Sequence, residues 1–308
     1  MAFGQAAQRV YRVAILDETT ETALQDTWSA FRARLRALGY VEGKNVTFES
    51  RHAGGATERL PALAAELVAL KPDLIACAGT PSTRAAIRAT SGIPVIFVSS
   101  GDPVATGLVA SLARPGRNVT GISSVTTETG QKTLEFLLEL SPGAQRIAYL
   151  ADPANQVSAA VFSRVEEHAR RLKRSIQMLD GSTREALNQA FETIRRERIQ
   201  GLLVGSSATV VDFRDDIIQF AAREKLPAVY GRLEYAPRGG LLVYGADRAL
   251  ASTRGADLVH RILRGAKPAE LAVEQIASVR TVLNLKTARA LGIKVPESIR
   301  LRADEVIE

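Results

Sequence analysis

The hydrophobic pattern switches between two periods along nearly the whole chain. Short runs such as Leu74-Ile75-Ala76-Cys77-Ala78 and Pro94-Val95-Ile96-Phe97-Val98 are apolar at every position. Between them lie stretches with apolar residues three and four apart, such as Leu24, Trp28, Phe31, Leu35 and Leu38. Continuous runs mark strands buried on both faces, and the 3.6-residue period marks helices with one buried face. Their alternation predicts parallel sheets covered by helices.

In the first half, strands are expected at 11–16, 46–53, 73–79, 94–100 and 119–124, and helices at 22–38, 57–70, 81–90 and 103–113. The second half repeats the design, with strands at 147–152, 175–180, 201–206, 227–231, 240–244 and about 279–284. Its helices are expected near 128–140, 157–173, 183–196, 208–224, 249–264 and 285–291. This is an α/β chain of two doubly wound, Rossmann-like lobes. Strand 119–124 is expected to run from one half into the other, and two lobes joined by strands form a hinge that can close on a ligand.

A length of 308 residues fits two domains. Hydrophobic residues make up 46% and charged ones 24%, a globular composition, and no apolar run approaches the roughly 20 residues of a membrane span. The net charge of +7 raises the question of nucleic acid. The basic residues, however, are spread over helix faces, as in Arg170-Arg171-Leu172-Lys173-Arg174, without interleaved aromatics. No nucleic-acid partner is therefore expected. Cys77 is the only cysteine and lies in a buried strand pattern, so it reads as a core thiol and permits no internal disulfide. His52, His168 and His260 have no metal-ligand spacing, and no metal is expected. The first eight residues are small and polar, so no secretory signal is expected in this chain.

Catalytic motifs are missing. After the first strand comes Asp17-Glu18-Thr19-Thr20-Glu21, where a dinucleotide-binding chain would carry G-x-G-x-x-G. Neither a phosphate-binding G-x-x-x-x-G-K-[ST] nor a nucleophile elbow occurs, and no Ser/His/acid set can be assigned. No catalytic residue and no cofactor are expected.

What remains is a ring of polar strand ends, the place where open α/β sheets bind ligands. The first half offers Glu18, the Gly79-Thr80-Pro81-Ser82 turn, and Ser100 with Asp102. In that turn, glycine permits close approach, two hydroxyls are available, and proline suits the first turn of a helix with free amides; the competing reading is ordinary capping. The second half offers Asn155, Ser206, Ser207, Tyr230, Arg232, Tyr244 and Asp247. The tyrosines could present ring faces, or be half-buried strand residues. Arg232 could clamp a carboxylate, or be solvated. Asp102 and Asp152 each precede proline and also read as N-caps.

Several segments together resemble a known family. They are Leu38-Gly39-Tyr40-Val41-Glu42-Gly43-Lys44-Asn45-Val46, Lys71-Pro72-Asp73, Gly79-Thr80-Pro81, Asp102-Pro103-Val104 and Leu112-Ala113-Arg114-Pro115-Gly116-Arg117-Asn118-Val119-Thr120-Gly121. Further on come Ile262-Leu263-Arg264-Gly265-Ala266-Lys267-Pro268 and Asn284-Leu285-Lys286-Thr287-Ala288. The chain resembles the ABC-transporter substrate-binding proteins, the family that includes tryptophan-binding lipoproteins. That resemblance implies the type I periplasmic binding protein fold, with lobe 1 formed by 9–120 and 247–277 and lobe 2 by 121–246 and 278–308. It implies a monomer outside the cytoplasm, in the periplasm of a two-membrane cell. There it would bind a small carboxylate-bearing solute, an amino acid or an aromatic or organic acid, between two closing lobes and deliver it to a permease and its ATPase, touching the membrane only through them or through a lipid anchor. Two positions depart from the family: Ser206-Ser207 stands where many relatives carry an acid, and Ile276-Ala277-Ser278-Val279 where aromatics are common. The first argues against an ammonium-bearing solute and for a carboxylate without an amine. A sensory module of the same fold is the alternative, followed by a nucleotide-dependent enzyme.

Overall fold

The computed structural model describes residues 9–124 and 127–308, with backbone only at Thr127 and Glu128. The segment 1–8, read above as lacking a secretory signal, lies outside the described residues. In chain order the elements are β1 (Tyr11–Asp17), α1 (Gln25–Ala37), β2 (Val46–His52), α2 (Leu60–Ala69), β3 (Leu74–Ala78), α3 (Thr80–Ala89), β4 (Val95–Ser100) and β5 (Val119–Ser124). Next come α4 (Thr127–Leu140), β6 (Arg146–Ala151), α5 (Gln156–Arg171), β7 (Ser175–Asp180), α6 (Arg184–Arg196), β8 (Gly201–Val204), α7 (Ala208–Val211), α8 (Arg214–Arg223) and β9 (Ala228–Tyr230). The chain ends with β10 (Leu242–Ala246), α9 (Arg248–Leu263), β11 (Glu274–Ile276), β12 (Val279–Asn284), α10 (Leu285–Leu291), α11 (Glu297–Arg302) and β13 (Glu305–Ile307).

Two compact units result. One contains Met1–Ser124 and Arg248–Ile276, the other Val125–Asp247 and Ala277–Glu308. The first holds a six-stranded sheet in the order β11-β5-β4-β3-β1-β2, with every pair parallel. β5 pairs with β4 and β11 inside this sheet. The second holds seven strands in the order β13-β12-β10-β9-β8-β6-β7. Here β12 runs antiparallel to β10, the one such pair among the described strands.

Alternation on buried strands explains the layers. Along β1, Val13 and Ile15 join the core under α1 and α9, whereas Ala14 and Leu16 join the opposite core with Leu60 and Leu67 of α2. β6 does the same in the second unit, sending Ile147 and Tyr149 to one side and Ala148 and Leu150 to the other. α1 buries Trp28, Phe31 and Leu35 on one stripe, and each contributes about 2 kcal/mol through removal from water. Trp28 packs edge-on against Phe31 with centroids 5.5 Å apart, the packing role its spacing predicts. Cys77 is fully buried, and burial pushes its thiol pKa up, so it is an inert core residue.

Residues 103–113, expected as a helix, instead form one turn over 103–107 followed by irregular chain. Asp102 Oδ1 accepts from the amides of Val104 and Ala105, and both Leu108 N and Val109 N return to Pro103 O. Gly107, at φ +71°, leaves the right-handed helical region and ends the turn. The expected helix 208–224 is broken into α7 and α8 at Asp212 and Phe213.

Candidate functional site

In the first unit the parallel register collects the strand ends in one row. Asp17 pairs with Ala78 and Ala78 with Ser99, while Ser100 pairs with Ser123. Register shifts occur in β4 against both neighbours, next to Ser99 and Ser100. Irregularities of this kind re-aim side chains at a strand end. Ser99 Oγ accepts from Arg248 Nη1 at 2.9 Å, and Ser124 Oγ donates to Ser100 O at 3.1 Å.

The β3–α3 turn is the densest polar feature. Thr80 Oγ1 and Ser100 Oγ share a hydrogen bond of 2.8 Å. Thr83 Oγ1 donates to Gly79 O at 2.7 Å. Ser82 is fully buried, and its Oγ has no hydrogen-bond partner among the described residues. Pro81 stands in the first turn of α3, where a missing N–H costs nothing. Gly79 is required twice over. Its φ is +87°, and a Cβ there would stand 2.7 Å from Glu18 Oε1 and 3.2 Å from Oε2. The Glu18 carboxylate, 2% exposed, therefore lies against the entrance to α3.

Asp17 is committed to the fold. Its Oδ1 accepts from Thr19 N and Thr19 Oγ1, both at 2.9 Å, and its Oδ2 from Trp28 Nε1 at 2.6 Å. Asp102 caps the turn that follows it and is exposed.

The second unit aligns its strand ends in the same way, with Leu150 opposite Val204, Val204 opposite Tyr230, and Tyr230 opposite Val243. One residue beyond that row, β8 and β9 each give way to a glycine and β10 reaches one a residue later. A Cβ at Gly205 would meet Tyr149 Oη at 2.8 Å, and one at Gly245 would meet Gly231 O at 2.8 Å. Close backbone packing thus fixes where the loops start. Asn155 caps α5, accepting from Val157 N at 2.9 Å and Ser158 N at 3.4 Å. Ser207 is 5% exposed, and its Oγ has no partner among the described residues, although it occupies the N-cap position of α7. Asp152 is buried, accepting from Ala154 N at 2.9 Å and from Thr209 Oγ1 at 3.3 Å. Burial, reinforced by the nearby Asp180 carboxylate, pushes its pKa up. Asp247 is half-buried, and its amide donates to Ser278 O at 3.1 Å.

Two residues expected at a solute surface, Tyr230 and Arg232, sit otherwise. Tyr230 is 2% exposed and stacks on Tyr235 with centroids 4.7 Å apart, inside the core that holds Val210 and Phe220. Its neighbour Val229 faces the other core, so strand alternation turns Tyr230 inward. Arg232 is fully buried and ion-paired with Glu234, and its Nη1 reaches Ser206 O at 3.5 Å. A carboxylate clamp at this position would have to compete with Glu234. Tyr244 is half-buried against Phe136, centroids 5.3 Å apart. Arg248, Thr209 and Glu234 were not singled out in the sequence. Each acts through a partner distant in the chain or hidden by burial, and only Arg248, beside Asp247 at the end of a strand, carried a positional signal.

Two doubly wound units, each presenting polar loops beyond the carboxyl ends of parallel strands, define a type I periplasmic binding protein. The pattern described as ABC transporter substrate binding protein matches residues 12–307, so the chain belongs to that family of solute receptors, which are not enzymes. A tyrosine-binding protein of Clostridioides difficile (strain R20291) is 26% identical over 284 residues, covering 92% of this chain and 80% of that protein. A conserved domain protein of Vibrio cholerae has a crystal structure that superposes with a TM-score of 0.89 at 27% identity, covering 97% of this chain and all of that one. An ABC domain from Streptococcus pneumonia, solved with L-Trp, superposes with a TM-score of 0.88 at 23% identity over 97% of this chain and all of the other, which shows likeness of fold. Membership implies a small-molecule solute and the permease and ATPase subunits of an ABC transporter as partners, outside the cytoplasm. No helix among the described residues is long and apolar enough to cross a membrane.

Proposed function

We propose that the chain is a periplasmic receptor for a small carboxylate-bearing amino acid, most favourably an aromatic one, and that its lobes close on the solute. The carrying observation is the α3 entrance. The Ser82 hydroxyl is buried without a partner among the described residues, in the first turn of α3 and two residues after Thr80, whose Oγ1 shares a hydrogen bond with Ser100 Oγ. Buried hydroxyls are ordinarily satisfied, and a helix N-terminus favours an anion. We assign the solute carboxylate to Thr80, Ser82 and Ser100.

The ammonium group goes to Glu18. The sequence argued against an amine because Ser206-Ser207 replaces an acid in the second lobe. The fold instead sets a buried carboxylate against Gly79, beside the carboxylate cradle of the first lobe. That arrangement favours an amino acid over a simple acid, in line with the tyrosine named for the Clostridioides difficile relative and the L-Trp in the Streptococcus structure. Asn155, Ser206, Ser207 and Asp247 are the second-lobe groups assigned to the same solute. Tyr230 and Arg232 are left out because both are committed within their own lobe.

The test compares tyrosine and tryptophan with their deaminated analogues by titration calorimetry on protein stripped of ligand. Glu18→Gln should weaken the amino acids about tenfold or more and leave the deaminated acids unchanged, a loss of about 1.4 kcal/mol. Equal loss for both classes contradicts the assignment of the ammonium. Solute-dependent compaction in solution scattering, with light scattering at the monomer mass, tests closure and oligomeric state.

A further inference from the structure

A second cavity lies elsewhere, within the second unit. It measures about 580 Å³, within the range that holds a small organic ligand. Its wall is apolar: Ile218, Leu226, Tyr230, Leu291 and Ile307 line it from α8, the connection before β9, β9 itself, α10 and β13. Residues Gly239 and Leu241 before β10, and Asn284 at the end of antiparallel β12, also border it. These positions belong to the end of the sheet opposite Asp152, Ser206 and Ser207, so the cavity is separate from the proposed solute groups. The inward turn that removes Tyr230 from the strand-end row delivers its ring to this wall.

The rim is basic. Lys286 is exposed and makes no ion pair among the described residues. Arg238 is half exposed and pairs loosely with Asp215, Nη1 to Oδ2 3.7 Å, leaving most of its donors to solvent. Glu308 follows Ile307 and is the acid next in sequence to the lining; no ion pair joins it to Lys286. An apolar pocket with cationic groups at its mouth is complementary to one kind of ligand: an apolar chain ending in an anion. An uncharged chain would leave the two cations unused, and a small polar anion would leave the apolar wall wet.

We propose that this cavity is a second binding site, for a single-chain amphipathic anion of the medium-chain fatty-acid class. The chain lies along Ile218, Leu226, Leu291 and Ile307, and the carboxylate meets Lys286 and Arg238. The site is independent of the solute site and does not rest on the reading proposed for it.

The experiment uses the full chain and dodecanoate below its micelle concentration, with displacement of a fluorescent fatty acid as readout and calorimetry for stoichiometry. Expected is 1:1 binding, with dodecanol and dodecyltrimethylammonium at least tenfold weaker. Lys286→Glu, a surface change that leaves the core intact, should weaken dodecanoate about tenfold. Ala290→Trp, placed at the exposed edge of the lining, should abolish binding, with Ala222→Trp as a second filling variant. Binding of tyrosine or tryptophan should be unaffected by all three. No binding of dodecanoate overturns the proposal. So does binding that survives both tryptophan variants, or equal affinity for dodecanol, which would remove the role of the cations.

Discussion

Thr80 Oγ1 and Ser100 Oγ lie 2.8 Å apart and tie the first turn of α3 to the end of β4. The bond holds two hydroxyls in one place. Thr80→Val keeps shape and removes one partner. It should cost about 1 kcal/mol of stability. Solute affinity should fall further, by about tenfold or more, when measured by calorimetry. A loss of stability with unchanged affinity would make the pair purely structural.

Gly79 and Glu18 form the second relationship. Gly79→Ala should destabilise the protein by roughly 1–3 kcal/mol from the positive-φ, extended-ψ backbone alone, with an added contact cost against the Glu18 carboxylate. A double-mutant cycle separates the two. In a Glu18→Ala background the contact part should vanish and the backbone part remain, as read by urea midpoints. An unchanged cost in both backgrounds would mean that the carboxylate moves aside freely.

Asp152 gives a pH signature of unusual sign. Its folded-state pKa is raised, chiefly by burial. The folded protein therefore binds this proton more readily than the unfolded chain does. Stability linked to the group is highest below the unfolded carboxyl pKa of about 3.9 and falls as pH rises through the folded value. Asp152→Asn, which can keep the bond from Ala154 N, should raise the melting temperature at pH 7. The gain should disappear toward pH 3. A gain that persists there would point to a cause other than ionisation.

Arg232 and Glu234 are buried together, with side chains 0% and 14% exposed. Removing one partner strands the other. Arg232→Met should cost about 3 kcal/mol or more, and the double change Arg232→Met with Glu234→Met should recover much of that loss. Solute affinity, measured on the folded fraction, should change little. A stable Arg232→Met variant that has lost solute binding would restore Arg232 as a carboxylate clamp.

The layers of this fold were legible because buried parallel strands are apolar at every position and their helices carry one stripe. β3, β4 and α10 lie within a residue or two of where the pattern sets them. The helix expected over 103–113 failed for a local reason. Pro103 and the Asp102 cap look like a helix start, but Gly107 breaks the turn before a second one closes. The strands β11 and β13 span three residues each and carry no periodic signal. In the candidate site, the Gly79-Thr80-Pro81-Ser82 turn could be read because its residue types have conformational meaning. The inward face of Tyr230 and the commitment of Arg232 to Glu234 could not, since the first depends on which side of β9 meets the core and the second on how the turn after β9 is buried.

The most direct test of the central claim is calorimetry on ligand-stripped protein with tyrosine, tryptophan, aliphatic amino acids, aromatic acids and nucleotides, alongside Ser82→Val. The account predicts 1:1 binding confined to a narrow class of amino acids and lost in Ser82→Val, whose removed hydroxyl has no partner among the described residues. Binding of nucleotides alone, or solute binding indifferent to Ser82, would contradict it.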